Sequence, residues 1–272
     1  MCNVTDVAVI MSVYKNDDVN AFEKAVYSII KQTYYVDLYI YCDGELPPSL
    51  YKRVNLLAKH NQVNVLENKI NRGLAHALNQ MIEVVLDKGY EFIARMDSDD
   101  LSRPNRIEKQ VLFMTSNDHV DVCGTYCREF GASHALEIKS LPLKHDQLVD
   151  FAITRCPFVH PTVMFRRRVF LEGYRYPTNT RLTEDMGLWL NLLKGNKIFA
   201  NLDEVLLDYR LTEATLTRRH GLSKAFSEFM MRFNYMVKLK RISLHNIILV
   251  SFRLVFHLLP TSLLKVLYRY FR

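Results

Sequence analysis

Three aspartates, Asp97, Asp99 and Asp100, fall within four residues directly after the apolar run "YEFIAR". Carboxylates this close repel one another, and leaving them at the end of a buried strand is costly unless positive charge arrives. Mg²⁺ or Mn²⁺ would supply it. These ions prefer hard oxygen ligands and accept one or two protein carboxylates together with the phosphates of a substrate. The plainer alternative is that Asp99 or Asp100 caps a helix expected to begin near Pro104, the other carboxylates being solvated. A second acidic pair, Glu184 and Asp185, stands in "RLTEDMGLWLNLL". With Thr183 as cap, both would suit the positive end of a helix dipole. Paired with the first motif they suggest a division of labour: a metal nucleotide held at one station, and a proton taken from an attacking hydroxyl at the other.

The elements that must carry these residues follow an alternating rhythm. "VAVIMSVY" is a nearly continuous apolar run, expected of a strand buried on both faces. "DDVNAFEKAVYSIIKQ" then predicts a helix capped by Asp17 or Asp18. Strand "VDLYIYCD", helix "SLYKRVNLLAKH", strand "VNVLEN", helix "LAHALNQMIEVVLDKG" and strand "YEFIARMD" continue it. Such alternation implies an α/β fold with a mostly parallel, doubly wound sheet. Beyond about Asn117 the pattern loosens. "DVCGTYCREFG" and "HALEIKSLPL" predict a pair of strands, "HDQLVDFAITR" a helix, "EDMGLWLNLLKG" a helix ended by Gly195, and "KIFANLDEVLLDYRL" two short strands.

Ligands of open α/β sheets collect beyond the carboxyl ends of the strands. That rule selects Ser12 and Tyr14, Asp43 with Gly44, Arg72 in "NRG", and Asp97, Ser98 and Asp99. Tyr14 could stack on a base, Asp43 could accept the N–H of a uracil ring, and Arg72 could reach a phosphate. For Asp43 a simple turn, and for Arg72 an ordinary surface position, are the competing readings. His160, in "FVHPTVMF", is either a satisfied core histidine or an acceptor-side group.

The chain has 272 residues, nearly half of them hydrophobic, enough to fill a real core. Its N-terminal apolar stretch is short and carries Asp6, so a first strand is expected there rather than a secretory peptide. Five cysteines without metal spacing predict reduced thiols in the cytoplasm. From Arg210 to Arg272 twelve Lys or Arg face only two Glu, so the total charge of +7 comes from the tail.

"VIMSVYKND", "SIIKQTY", "CDG", "NRGLAHALN", "MDSDD" and "TEDMGLWL" stand together in an order and spacing that resembles the family 2 inverting glycosyltransferases, notably those of bacterial surface polysaccharides. The resemblance covers roughly Val7 to Arg210 and implies the GT-A fold. It implies that Ser12, Tyr14 and Asp43 hold uridine, that Asp97 and Asp99 hold the metal and diphosphate, and that Asp185 is the general base. The segment around His160 and the stretch with Glu184 and Trp189 would then lie on the acceptor side. One departure is visible: Cys42-Asp43-Gly44 replaces the usual Asp-Asp-Gly, which affects a secondary contact.

The expected organisation is a catalytic domain over residues 1–215, with a nucleotide-binding half (1–116) and an acceptor-side half (117–215), followed by a helical tail (216–272). "RRHG" at 218–221 could form a phosphate-binding loop. "SLHNIILVSFRLVFHLLPTSLLKVLYRYFR" is too broken by Arg253, His257 and Pro260 to span a bilayer, and suits lying in the interface with its basic residues at lipid headgroups. A helix packed on the domain is the alternative. No nucleic-acid recognition motif accompanies the basic residues. The resulting expectation is inverting transfer of a hexose, galactose or glucose, from a UDP-sugar to a polyprenyl-diphosphate-linked saccharide at the cytoplasmic face of the inner membrane. A nucleotidyltransferase would need a glycine-rich phosphate loop after the first strand, which "MSVYKNDD" lacks. A non-catalytic sugar-nucleotide module would have no use for Asp185.

Overall fold

The structure is a computed structural model and describes residues 5–179, 183–212 and 222–256. Strands β1 (Val7–Val13), β2 (Asp37–Asp43), β3 (Val63–Asn68) and β4 (Phe92–Met96) alternate with helices α1 (Val19–Ile30), α2 (Pro48–Leu57) and α3 (Leu74–Lys88). The short β5 (Leu101–Ser102) precedes α4 (Arg106–Ser116), β6 (Val122–Phe130) and α5 (His145–Thr154). After a 3₁₀ turn at His160–Thr162 come β7 (Met164–Arg166), α6 (Arg167–Leu171), α7 (Glu184–Lys194) and β8 (Phe199–Arg210). Helices α8 (Leu222–Lys238) and α9 (Leu244–Phe256) follow.

All eight strands form one sheet in the order β3-β2-β1-β4-β7-β6-β8-β5. The pairs among β1 to β4 are parallel, as is β6 with β8, while β7 runs antiparallel to both its neighbours. Alternation along β1 explains the double winding. Val7, Val9, Met11 and Val13 join Phe22, Val26 and Ile29 of α1 and Val54 of α2 on one face. Ala8 and Ile10 join Ala77, Met81 and Val85 of α3 and Leu188 and Trp189 of α7 on the other. A parallel sheet covered on both sides needs apolar residues at every strand position, which is why β1 reads as an unbroken run.

Several expectations are corrected. "HALEIKSLPL" contributes an isolated bridge, Cys127 to Lys139, and no strand. "KIFANLDEVLLDYRL" forms one long strand instead of two. Its pairing jumps from Thr125–Leu202 to Tyr126–Val205, so exposed Asp203 and Glu204 bulge out of the ladder without breaking it. Helix α4 starts two residues after Pro104, because Leu101 and Ser102 first pair with β8. Gly195 does follow the last residue of α7, but its φ is −85° and the positive φ belongs to Asn196. What requires glycine at 195 is space, since a Cβ there would lie 1.7 Å from the Tyr174 hydroxyl oxygen.

Helix α8 is tied into the domain. Buried Arg232 pairs with Glu228 at 2.9 Å and donates to the carbonyls of Ala152 and Ile153, the last turn of α5. A cation there meets the negative end of that helix. Met236 and Val250 close over Ile153 as a small third core. No helix among the described residues is long and apolar enough to cross a membrane. The "RRHG" segment lies outside the described residues.

Candidate active site

The carboxyl ends of β1, β2 and β4 open on the same edge of the sheet, where the chain gathers four carboxylates. Asp97 follows β4 and is half-buried, its Oδ1 paired with the guanidinium of fully buried Arg95. Asp99 is also half-buried, and its carboxyl is pushed up to about 6 by burial and by Asp97. Asp100 is wholly buried and accepts the backbone N–H of Arg210 at 2.7 Å. Arg210 Nε also donates to the Asp99 carbonyl at 2.8 Å, so the end of β8 clamps the turn. Burial and its two neighbours hold the Asp100 carboxyl well above the usual range. Neither Asp99 nor Asp100 caps α4, whose N-cap is Asn105 without a side-chain bond, so the capping alternative does not describe this loop.

The fourth carboxylate is one that sequence reasoning misses as a chemical group. Asp18 caps α1, leaving Asp17 to accept the Tyr14 N–H at 3.1 Å and the Ser98 hydroxyl at 2.9 Å. Asp17 therefore joins the loop after β1 to the loop after β4. Burial, with smaller contributions from Asp99 and Asp97, raises it to about 6. The available signal is the pair Asp17-Asp18 at a helix start, where one cap suffices. Ser98, nearly buried, is thus committed to Asp17, whereas Ser12 and Tyr14 are half-buried beside it.

Asp43 is 3% exposed, and its carboxylate accepts the backbone N–H groups of Arg72 and Gly73, each at 2.8 Å. It is first a strut that fixes the start of α3, which corrects the picture of a carboxylate simply presented to a ligand. Each oxygen retains a further lone pair. Gly44 takes φ +92° there, and a Cβ would meet Asn71 Cβ at 2.9 Å. Arg72 is exposed, with Nη1 3.2 Å from His76 Nε2.

The second station starts α7. Thr183 occupies the N-cap as expected, but its hydroxyl makes no capping bond. Glu184 and Asp185 stand half-buried in the first turn, where free backbone N–H groups favour anions. Asp185 Oδ1 accepts the Met186 N–H at 2.6 Å, and Oδ2 receives the Cys156 thiol at 3.7 Å. Burial, aided by Asp185, pushes that thiol up to about 12, so it remains protonated and able to donate.

Tyr176 precedes α7. Its phenol is held above its ordinary pKa by burial, against the field of Arg95. The hydroxyl lies 2.9 Å from His160 Nε2, and the Asn79 side-chain amide takes both the N–H and the C=O of Tyr176. Burial and nearby Arg95 hold His160 well below its usual pKa, hence neutral. Trp189 is fully buried, stacked on Phe165 and edge-on to His160, and so packs beneath the His160 ring. Arg95 and Tyr176 also escape sequence reasoning. An arginine inside the apolar run "FIARM" is the legible sign of the first; the second has none. An open cavity of about 700 Å³ is lined by the loop from Gly173 to Asn179, Tyr176 included, with Asn79, Asn191 and Lys194, and by no carboxylate.

Among the described residues no three His, Cys, Asp or Glu side chains form a ready-made metal cage. The donor set nevertheless fits a hard divalent cation. Asp97 and Asp99 supply two carboxylates, phosphate and water can complete the shell, and Asp100 Oδ2 is a buried oxygen without a partner. The raised carboxyls mark a surplus of negative charge that a cation would balance.

The profile described as "Glycosyl transferase family 2" matches residues 8–175. The chain belongs to this family. It is 29% identical, over 96% of its length and 94% of the relative's, to an Escherichia coli UDP-Gal:alpha-D-GlcNAc-diphosphoundecaprenol beta-1,3-galactosyltransferase. It is 34% identical to the Escherichia coli O-antigen biosynthesis glycosyltransferase WbnJ, over 75% of this chain and 79% of that one. Among solved structures, the mannosyltransferase PcManGT from Pyrobaculum calidifontis, in complex with GDP-Man and Mn²⁺, superposes with a TM-score of 0.61 at 14% identity, covering 98% of this chain and 85% of that one. At that identity the likeness speaks for the fold, and the fold is GT-A. The family 2 resemblance read from the motifs is borne out.

Proposed function

We propose that this family 2 enzyme transfers a hexose, galactose or glucose, from a UDP-sugar to a saccharide on a polyprenyl diphosphate, with inversion, in O-antigen or capsule-type polysaccharide synthesis. The observation that carries the chemistry is that the chain builds two acidic stations, Asp97 and Asp99 in the turn after β4 and Asp185 in the first turn of α7. A leaving diphosphate held at the first station and an acceptor hydroxyl at the second would face each other across one sugar ring. A Mn²⁺ or Mg²⁺ ion held by Asp97 and Asp99 would supply charge for the departing diphosphate. Asp185 takes the proton of the attacking hydroxyl, and one in-line displacement inverts the anomeric carbon. Ser12, Tyr14 and Asp43 hold uridine, and exposed Arg72 reaches the phosphates. The lipid-diphosphate relative in Escherichia coli supports the donor and acceptor classes. Residues 1–215 form the catalytic unit in this reading.

The test is transfer from a panel of radiolabelled nucleotide sugars to a synthetic lipid-diphosphate saccharide, with the product anomer read by NMR. Transfer from UDP-galactose or UDP-glucose with inversion is expected; retention, or activity only with a guanosine donor, would overturn the reading.

The tail supports a peripheral place at the membrane. Phe226, Met230, Phe233 and Val237 fall at intervals of four, three and four on α8 and are 38–61% exposed, a stripe on one side of the helix. The opposite side, with Arg232 and Met236, packs on the domain. Lys238, Lys240 and Arg241 flank the stripe on the exposed surface, complementary to anionic headgroups. Vesicles of phosphatidylglycerol should sediment the unaltered protein and not a Phe226→Asp/Phe233→Asp variant. Equal sedimentation of the two would remove this face from the membrane.

A further inference from the structure

We propose that Arg95 is a resident counter-ion for Asp97, which it holds until a divalent metal arrives together with the donor diphosphate, so that the metal enters as a metal–nucleotide pair. This rests on the reading of Asp97 as a metal ligand. The motivating oddity is a guanidinium that is 1% exposed inside a strand, with one nitrogen on Asp97 and two, Nε and Nη1, buried without any protein acceptor. A buried cation whose partner is taken away is strongly destabilising. Its other neighbours do not replace Asp97. Tyr176 and His160 are kept neutral, and Arg106 adds a second buried cation that donates to the Arg95 carbonyl at 2.7 Å.

A bare dication that captured Asp97 would therefore face an uncompensated guanidinium across a short gap of low dielectric. The penalty disappears when the incoming ion brings anionic phosphate, because the added negative charge balances both cations. The other carboxylates compensate the guanidinium less. Asp100 lies close enough to be felt but accepts the Arg210 N–H, Asp17 is taken up by Tyr14 and Ser98, and none of the three is paired with the Arg95 guanidinium as Asp97 is. Arg95 is thus a positioning residue that sets the order of loading. It makes metal and donor binding strongly cooperative, and by linkage each raises the affinity for the other by the same factor.

The test is titration of metal-free protein with Mn²⁺, followed by the electron paramagnetic resonance signal of free ion, with and without UDP, for the unaltered protein, Arg95→Gln, Arg95→Lys and Asp97→Asn. Arg95→Gln is expected to bind Mn²⁺ alone at least about tenfold more tightly than the unaltered protein, since one repelling charge has gone. With UDP present the difference should shrink to within about threefold, and Arg95→Lys should resemble the unaltered protein. Unchanged or weaker binding of Mn²⁺ alone by Arg95→Gln, while UDP still promotes Mn²⁺ binding to the unaltered protein, would overturn the counter-ion role and leave the metal site standing. Mn²⁺–UDP binding by Asp97→Asn equal to that of the unaltered protein would instead overturn the site, and the proposal with it. Should Arg95→Gln fail to fold, a crystal structure of the unaltered protein with Mg²⁺–UDP decides: Asp97 on the metal and parted from Arg95 is expected, and a closed Arg95–Asp97 pair with metal on Asp99 alone refutes the idea.

Discussion

The two carboxylate stations of this enzyme are built on opposite terms. Asp97, Asp99, Asp100 and Asp17 are crowded, desolvated and stitched to one another's loops, and several are raised well above the ordinary carboxylate range. Asp185 stands in the first turn of a helix, where it accepts the Met186 N–H and the Cys156 thiol. In the proposed mechanism the first station would await a cation, which its accumulated charge favours, whereas the second would take up a proton.

The hardest way to break this contrast is at the crowded station. Asp97→Ala or Asp99→Ala, or excess EDTA with the unaltered protein, is expected to reduce sugar transfer by roughly a thousandfold or more, because each removes charge stabilisation of the leaving diphosphate. Full turnover in EDTA would mean that the crowding serves something else. Asp185→Asn should lower kcat by on the order of 10² to 10⁴ while calorimetry finds UDP-sugar binding unchanged. Glu184→Gln, about 100° away around the helix, should cost less. Equal losses of binding and turnover in Asp185→Asn would make that pair a helix start and nothing more.

Stability against pH sharpens the comparison at smaller scale. In the metal-free protein the carboxyls of Asp17 and Asp99 titrate at about 6 in the folded chain, above the ordinary 3.8, so the folded chain binds these protons more tightly than the unfolded one. Their ionisation therefore removes stability as pH rises from about 4 to 6, on the order of 1.4 kcal/mol for each pH unit climbed. Asp17→Asn or Asp99→Asn should accordingly gain on the unaltered protein over that window in thermal melts under EDTA. His160, whose lowered value acts in the opposite sense, is common to both and cancels from the difference. The gain should vanish with saturating Mn²⁺ and UDP, and a variant that instead loses stability as pH rises would contradict the crowding. The smallest effect is at Tyr176: Tyr176→Phe removes the bond to His160 and should cost about 1 kcal/mol in denaturant melts.

Residues 1–116 are the more legible in the sequence because β1, β2 and β4 are buried on both faces, and the turns at their ends are spelled in small or acidic residues. The run "VNVLEN" coincides with β3 to the residue, and the D-x-D turn stands out by its charge density. What escapes the sequence depends on contacts distant along the chain. Asp17 looks like half of a helix cap until Ser98, 81 positions away, claims it. Tyr176 is an ordinary residue in a polar loop until Asn79 and His160 meet it. Asp203 and Glu204 look like a turn because charge usually ends a strand, whereas the bulge lets them reach water and the ladder resume. Trp189 is legible as a core residue: burial of its helix face is expected and found.

The paired bonds between the Asn79 amide and the backbone of Tyr176 bear on how such enzymes can be recombined. They join α3 to the loop leading to α7 across 97 residues of chain, from the expected nucleotide-binding half to the expected acceptor-side half. A chimera that exchanges acceptor halves between relatives at a seam near residue 117 would cut this joint whenever the donor of α3 lacks an amide at the matching position. A graft of that half should therefore fold more cleanly when residue 79 travels with it, together with Glu83 of the same helix, which pairs with Arg175 across the same seam.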